Sequence, residues 1–205
     1  MAAYVKASDR RRQLVAAARA VLGRQGMAGG TLRAVAAEAQ VPLGTVHYIF
    51  PSKEQLLRAV LEDVVREISE TVRDVPGTAD DLESAMRAGA QVVWSTVIEP
   101  QTEQQIMQYE LSIWALRTAG MAELARWQYE QYIEVITRRW TQAADHAGVT
   151  CSVSMEQLAR LLLAGIDGLV LQYLACKDAE RARNDLDLLV TQIVRLAIPV
   201  PLTDA

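Results

Sequence analysis

The fold is decided by residues 31–57, whose sequence is TLRAVAAEAQVPLGTVHYIFPSKEQLL. Thr31 suits the N-cap of a short helix, and Pro42 suits the first turn of the next one. Between these helices lies a tight turn at Gln40, and the small Ala36 lets the two helices approach closely. Two short helices joined in this way predict a helix-turn-helix.

The second of these helices has two chemically different sides. At about 100° per residue, Val46, Ile49 and Phe50 share one side and form its apolar stripe. The opposite side carries small and hydrogen-bonding residues, namely Gly44, Thr45, His47 and Tyr48. Because an α-helix fits the major groove of DNA, an outward polar side predicts contact with base edges and phosphates.

Almost every other long segment also repeats at the helical period. A first helix is predicted from Ser8 or Asp9 to Gly26, and a long fourth helix begins at Ser52. After a break at residues 75–78, helices are predicted at about 80–98, 101–118, 121–147, 154–177 and 180–198. The sequence therefore predicts an all-α protein, with a three-helix domain over residues 1–58 and a helical bundle over residues 59–205.

The composition is that of a globular protein. The chain has 205 residues, of which 51% are hydrophobic and 22% charged. No stretch approaches about eighteen uninterrupted apolar residues, and the charged N-terminus lacks the apolar core of a secretory signal. We therefore expect a cytoplasmic protein without a membrane span. Cys151 and Cys176 form no CxxC motif, so neither a disulfide framework nor a zinc site is expected.

Charge is distributed unevenly along the chain. Residues 1–58 carry nine basic side chains against three acidic ones, a net charge of +6, so residues 59–205 must carry −10 to give the total of −4. A basic head on an acidic body indicates that the head meets a polyanion. The basic residues between Lys6 and Arg12 either reach along DNA or form the charged start of the first helix, and the second interpretation is favoured.

One ordered set of residues runs through the decisive segment: Thr31, Val35-Ala36, Glu38-Ala39, Val41, Gly44-Thr45-Val46, Tyr48, Phe50, Ser52-Lys53-Glu54 and Leu56-Leu57. This set resembles the DNA-binding domain of the tetracycline-repressor (TetR) family. The resemblance implies a homodimer that binds a palindromic operator in double-stranded DNA and is released by a small-molecule effector. Residues 59–205 would then be the effector-binding and dimerisation domain, with no catalytic residue, cofactor or metal.

By position, the resemblance implies DNA contacts for eight residues. The implied phosphate contacts are Thr31, Arg33, Thr45 and Lys53, and the implied groove contacts are Leu43, Gly44, His47 and Tyr48. Tyr48 would contact the backbone or a thymine methyl group. Lys53 begins a helix, where its ammonium group and the nearby amide N–H groups both favour a phosphate. The alternative for Lys53 is a solvated surface lysine.

Two residues depart from the usual pattern of the family. His47 stands where tyrosine is usual, so an imidazole replaces a phenol and could become cationic at mildly acidic pH. Gln40 stands where glycine is usual, and it would be strained if its φ angle is positive. Because Leu43 and Gly44 offer few hydrogen bonds, base discrimination is expected to depend on methyl contacts, His47 and DNA shape.

The body of the chain holds most of the aromatic residues, since seven of eleven lie between positions 94 and 140. Each of them most simply fills a helical core, but as a group they suit the wall of a ligand cavity. The candidate effector contacts are Trp94, Met107, Glu110, Trp114 and Trp127. A carboxylate among tryptophans would suit an apolar or lipophilic-cationic effector, through ion pairing and cation–π attraction.

The last two predicted helices suggest dimerisation. They carry more apolar surface than one face of a bundle needs, which predicts a four-helix interface between two copies, as is usual in the family. Asp167 interrupts the apolar run 161–171, where an unpaired carboxylate would be costly. Asp167 could contact a ligand, form a hydrogen bond across the dimer interface or pair with an arginine, and a structural role is favoured over a ligand contact.

Two other classes of protein compete with a regulator. A helical enzyme is disfavoured, because the sequence has two histidines, no metal-ligand spacing, no GxSxG motif, no Walker loop and no dinucleotide fingerprint. A constitutive regulator or helical adaptor, whose aromatic region is solid core and binds no effector, stays open. The presence or absence of a cavity of ligand size separates the two remaining interpretations.

Overall fold

The structure is a computed structural model, which describes residues 7–75, 81–197 and 199–201. Lys6 and residues 76–78 of the predicted break lie outside the described residues. The helices are α1 (Ala7–Gly29), α2 (Leu32–Glu38), α3 (Leu43–Ile49), α4 (Lys53–Asp74), α5 (Leu82–Val93), α6 (Thr102–Arg117), α7 (Ala122–Ala147), α8 (Met155–Cys176) and α9 (Ala179–Ala197). A π-helical turn, Trp94–Ile98, follows α5.

The all-α prediction is confirmed, and each predicted helix is present with ends within a few residues of the expected ones. The prediction missed one feature, an antiparallel pair of three-residue strands, β1 (Val149–Cys151) and β2 (Pro199–Pro201). Three residues are too few to show a period of two, and prolines argue against a strand because they donate no backbone hydrogen bond. Cys151 and Cys176 are free thiols.

The chain divides into two compact units. The first contains residues 1–66 and 103–128, and the second contains residues 67–102 and 129–205. The first unit therefore holds α6 in addition to the segment predicted as the DNA-binding head. The predicted domain boundary after residue 58 stays a prediction.

The core of the first unit forms from the apolar stripes predicted for α1 to α4. Its buried residues include Leu14, Val15, Ala18, Val21, Leu22, Val35, Val46, Phe50, Leu56, Leu57, Val60 and Leu61. An ion pair at its edge joins α1 to α4, where Arg19 Nη1 lies 2.9 Å from Asp63 Oδ2. Both side chains are about four-fifths buried, so this pair is less exposed to screening by salt than a surface pair.

The end of α1 is broken at Gly26, the residue predicted to stop it. Gly26 has a φ of 65° and a ψ of −176°, and a short helical turn to Gly29 follows. A residue with a side chain is disfavoured at this φ because its Cβ crowds the backbone. The chain direction thus changes immediately before Met27.

The second unit contains the most apolar helix, α8, which packs on α9. By length and composition α8 could cross a membrane, but the same features are typical of a helix that packs on a neighbour inside a protein. A Cβ added at Gly165 of α8 would lie 2.5 Å from Leu189 Cδ2 of α9, so glycine permits the close approach of these helices.

Candidate DNA interface and effector site

The turn between α2 and α3 is tight and strained at one residue. Gln40 has a φ of 54°, so the strain expected if its φ were positive is present. The Val41 N–H donates to the Ala36 carbonyl at 3.0 Å, and the side chain of Gln13 in α1 donates to the Ala39 carbonyl at 2.8 Å. These bonds fix the direction in which α3 leaves the turn.

The predicted orientation of α3 is confirmed. Val46 and Phe50 are no more than 1% exposed and Ile49 is half-buried, whereas Tyr48 is 85% exposed and Gly44 and His47 are also exposed. No described atom lies within 4 Å of the position that a Cβ of Gly44 would take. The fold of the described chain therefore does not require glycine there, and the surface beside Tyr48 is open to a large partner.

The N-terminus of α2 presents two of the implied phosphate contacts at the surface. Thr31 is the N-cap, as predicted, and its Oγ1 accepts a hydrogen bond from the Ala34 N–H at 3.1 Å. Its hydroxyl hydrogen is left to donate. Arg33 is exposed beside it. Thr45 and Leu43 at the start of α3 are half-buried.

Lys53 has a partner that sequence reasoning did not anticipate. It is half-buried at the first position of α4, and its Nζ donates to the Met27 carbonyl at 3.0 Å. Ser52 caps this helix, since its Oγ accepts from the Gln55 N–H at 3.3 Å. A lysine ammonium group has three donors, so one bond to Met27 leaves two for a phosphate. No local pattern joins residues 27 and 53.

The described basic residues near the N-terminus, Arg10, Arg11 and Arg12, belong to α1, in agreement with the favoured interpretation. The Arg11 guanidinium stands 4.8 Å from the centroid of the Phe50 ring, a cation–π contact that ties α1 to the end of α3. Arg12 pairs with Asp9 at 2.5 Å. These contacts give two of the basic residues structural roles in the head.

The five candidate effector residues fall in different parts of the molecule. Met107, Glu110, Trp114 and Trp127 belong to the first unit, whereas Trp94 belongs to the second. Met107 is 1% exposed, while Trp114 and Trp127 are half-buried. Glu110 Oε2 accepts a hydrogen bond from the Met27 N–H at 3.0 Å. The Glu110 carboxylate, which is predicted to contact a ligand, therefore binds the backbone N–H of Met27, the residue after Gly26.

A cavity of about 380 Å³ lies in the second unit, where α5 and its π-helical turn face α9. Its lining includes Arg87, Gln91, Trp94, Arg183, Asp187 and Val190. Trp94 is 1% exposed, and its indole Nε1 has no hydrogen-bond partner among the described residues. An unpaired buried donor is costly, but because Nε1 is itself buried, its N–H can reach a bound group only if the indole ring shifts.

The charges around this cavity are largely paired. Arg87 lies 2.7 Å from Glu83 and 3.1 Å from Asp187. Arg183 pairs with Glu99 through two hydrogen bonds of 2.8 and 3.0 Å, which raise the pKa of the guanidinium further. The charged residues that line the cavity, Arg87, Arg183 and Asp187, sum to +1, and the carboxylates of Glu83 and Glu99, which pair with the two arginines, bring the group to −1.

Asp167 has a partner within its own protomer. The Tyr129 hydroxyl donates to Asp167 Oδ2 at 3.0 Å. Partial burial of the phenol, and then the neighbouring carboxylate, raise the pKa of Tyr129 to about 12. The phenol therefore keeps its proton, and its role as donor, throughout the neutral range. The three roles expected for Asp167 did not include this hydrogen bond to Tyr129.

The outward-facing α3, the tight turn before it and the helical body together define a helix-turn-helix DNA-binding protein. The profile described as bacterial regulatory proteins, tetR family, matches residues 14–60. The profile of the tetracyclin repressor-like C-terminal domain matches residues 77–196. The chain belongs to the TetR family of transcriptional regulators.

Similar proteins are regulators and not enzymes. The nicotine-responsive transcriptional repressor HdnoR of Paenarthrobacter nicotinovorans is 29% identical over 182 residues, which cover 89% of this chain and 92% of that protein. The transcriptional regulator BetI of Paraburkholderia phytofirmans is 32% identical over 166 residues, 80% of each chain. The structure of the multidrug binding protein EbrR with ethidium is 30% identical, with a TM-score of 0.64, and the match covers 88% of this chain and 98% of that one. The chain is accordingly a ligand-responsive DNA-binding regulator.

Proposed function

We propose that the protein is a cytoplasmic repressor that binds a palindromic operator as a homodimer and is released by a small hydrophobic effector. The observation that carries the DNA-binding part is the orientation of α3, with Val46 and Phe50 buried and Tyr48 85% exposed. Two copies of α3, about 34 Å apart, would enter successive major grooves. The proposed contacts are Thr31, Arg33, Leu43, Gly44, Thr45, His47, Tyr48 and Lys53.

The proposed dimer rests on exposed leucines of α8 and α9. Leu161 and Leu171 of α8 are 49% and 53% exposed, and Leu188 and Leu196 of α9 are 61% and 46% exposed. Large apolar side chains at this exposure on two adjacent helices favour burial against a second copy. A four-helix interface between two copies would cover them.

For the effector, we propose an aromatic nitrogen base with a single positive charge. HdnoR is named for its response to nicotine, and EbrR has been solved with ethidium and with malachite green. In the cavity beside α5, a shift of the Trp94 ring would let its N–H donate to a ring nitrogen such as the pyridine nitrogen of nicotine, and the carboxylates that pair with Arg87 and Arg183 would offset the arginine charges and tolerate a cationic amine. Met107, Glu110, Trp114 and Trp127 remain proposed contacts at an alternative site in the first unit.

The effector must distinguish two states of the protein. Coupling of about 1 to 3 kcal/mol would change the affinity for DNA some 5- to 150-fold, whereas a nearly complete switch needs about 5.5 kcal/mol. A ligand that binds the DNA-bound and the free protein equally well would release nothing.

The decisive experiment begins by selecting bound fragments from random DNA. We expect a palindromic consensus, and fluorescence anisotropy on that operator should show an affinity that falls steeply with salt. Nicotine is then titrated into the complex and is expected to release the DNA, whereas ethidium, which intercalates into duplexes by itself, is tested only for binding to the protein without DNA. A non-palindromic consensus would contradict the dimeric arrangement. If calorimetry shows that nicotine saturates the protein and the DNA is nevertheless retained, the constitutive alternative is favoured.

A further inference from the structure

One residue of the first unit, Met27, is held from both sides by groups distant in sequence. Its N–H donates to Glu110 Oε2 of α6 at 3.0 Å, and its carbonyl accepts from Lys53 Nζ of α4 at 3.0 Å. The two bonds connect α6 to the N-terminus of α4 through a single backbone residue. Both bonds are partly buried, which protects them from competition with water.

The contact between α6 and the end of α1 is close at two glycines of α1. A Cβ at Gly26 would lie 3.3 Å from Glu110 Oε2, and a Cβ at Gly23 would lie 3.0 Å from Gln104 Nε2. Gly26 also has a φ of 65°, which turns the following N–H away from the helix ladder. The Glu110 carboxylate therefore lies in space that is left free because Gly26 has no side chain.

We infer that Glu110 is a positioning residue for DNA binding, which acts through Met27 on Lys53. This inference rests on the phosphate contact of Lys53 in the proposed function. A lysine side chain loses much conformational entropy when it is held in one place, and the Met27 carbonyl restricts Lys53 before DNA arrives. Glu110 fixes the residue that supplies this carbonyl, and two ammonium hydrogens stay available for a phosphate.

The direction in which DNA affinity changes when the Glu110 carboxylate is removed separates positioning from simple electrostatics. Glu110 is an anion in a protein that binds a polyanion, so its removal alone should strengthen DNA binding. Loss of positioning should weaken it. Glu110→Gln removes the charge but keeps an oxygen that accepts from the Met27 N–H, whereas Glu110→Ala removes both. Glu103, exposed in the first turn of the same helix, is the matched control for charge.

The test measures binding of the full-length variants to a generic labelled duplex of about 30 base pairs, since phosphate contacts do not need the operator. We expect Lys53→Met to weaken binding about 5- to 10-fold and to reduce the slope of log affinity against log salt by about 0.9. Glu110→Ala should weaken binding about 3-fold and also reduce the slope of log affinity against log salt. Glu110→Gln should bind within about 2-fold of the wild type. Glu103→Ala should bind DNA as tightly as the wild type or more tightly.

The double variant Glu110→Ala/Lys53→Met should bind no more weakly than Lys53→Met, because both changes act on one contact.

Hydrogen exchange tests the bond between the Met27 N–H and Glu110 directly. The Met27 amide should exchange faster in Glu110→Ala than in Glu110→Gln. Tight binding by Glu110→Ala together with weak binding by Lys53→Met would overturn the role of Glu110 and leave the phosphate contact intact. Unchanged binding by Lys53→Met would overturn the phosphate contact itself. If Glu110→Ala does not fold, Glu110→Met keeps the length of the side chain without an oxygen that accepts from the Met27 N–H, and an unchanged salt slope with slow Met27 exchange in that variant would overturn the inference equally.

Discussion

The head around α3 and the aromatic body differ in how local their interactions are. In the head, residues close in sequence share a short helix, so the burial of Val46 and the exposure of Tyr48 follow from the helical period alone. In the body, five residues proposed as one site fall into two compact units. A function carried by one short segment is therefore visible in the sequence, whereas one assembled from distant helices is not.

Gly44 provides the sharpest test of this difference. Gly44→Leu should weaken operator binding by about 2 to 3 kcal/mol, roughly 30- to 150-fold, because the added side chain would meet the DNA. The same change should raise thermal stability, since leucine is a better helix former than glycine by about 0.5 to 1 kcal/mol and the described chain leaves room for it.

Gly89 of α5 is the matched control in the second unit. It is also a helical glycine with no described atom within 4 Å of an added Cβ. Gly89→Leu should give a similar gain in stability and leave affinity for DNA unchanged. If Gly44→Leu bound the operator as tightly as Gly89→Leu does, α3 would not lie in the groove.

The same contrast explains which features could be predicted. The cap at Thr31 and the stop at Gly26 depend on neighbouring residues and are predicted by the sequence, whereas the strain at Gln40 is predicted only on the condition that its φ is positive. The bonds from Met27 to Glu110 and Lys53 span 83 and 26 residues and follow no periodicity. Glu110 could be recognised as unusual from its place among apolar and aromatic residues, but its partner could not.

In the second unit, Trp94 tests whether the cavity beside α5 binds the effector. Trp94→Phe removes the Nε1 donor and should weaken nicotine binding by about 1 to 2 kcal/mol, roughly 5- to 30-fold, if the pyridine nitrogen accepts from it. Because this N–H has no partner in the part of the chain that the structure describes, the substitution breaks no hydrogen bond there. Isothermal titration calorimetry gives the affinity, and DNA binding without effector should not change.

Trp140→Phe is the control for lost aromatic volume, since Trp140 is 3% exposed in the same unit and does not line this cavity. Equal losses in the two variants would indicate a general effect on packing. A loss confined to Trp114→Phe would move the effector site to α6.

The bond between Tyr129 and Asp167 makes a smaller contribution that depends on pH. The pKa of Tyr129 is raised from 10.0 to about 12 in the folded protein, so the stabilisation is present in full below pH 10 and is lost as the pH rises towards 12. Because the phenol is half-buried, we expect on the order of 1 kcal/mol rather than the full value of the shift. Urea unfolding between about pH 9 and 12 should show a smaller alkaline loss for Tyr129→Phe than for the wild type.

Asp167→Asn tests the cause of this shift. It keeps the shape of the side chain but removes its charge, so part of the alkaline loss should remain, because burial of the phenol is the larger cause. Identical pH profiles for Tyr129→Phe and the wild type would show that the phenol contributes nothing.

The smallest predicted effects compare one strained position in each unit. Gln40 in the head and Lys177 at the end of α8 have φ angles of 54° and 57°. Replacing either with glycine relieves the crowding of Cβ at positive φ but adds freedom to the unfolded chain, for a net gain of about 0.5 to 1 kcal/mol. For a protein of this size, calorimetry should show an increase of about 2 to 4 °C in Tm per kcal/mol.

Both variants should bind DNA like the wild type, since the hydrogen bonds that Gln13 and Val41 make at the turn do not use the Gln40 side chain. A loss of DNA affinity in Gln40→Gly alone would mean that the stiffness of this turn, and not only its direction, holds α3 ready for the groove.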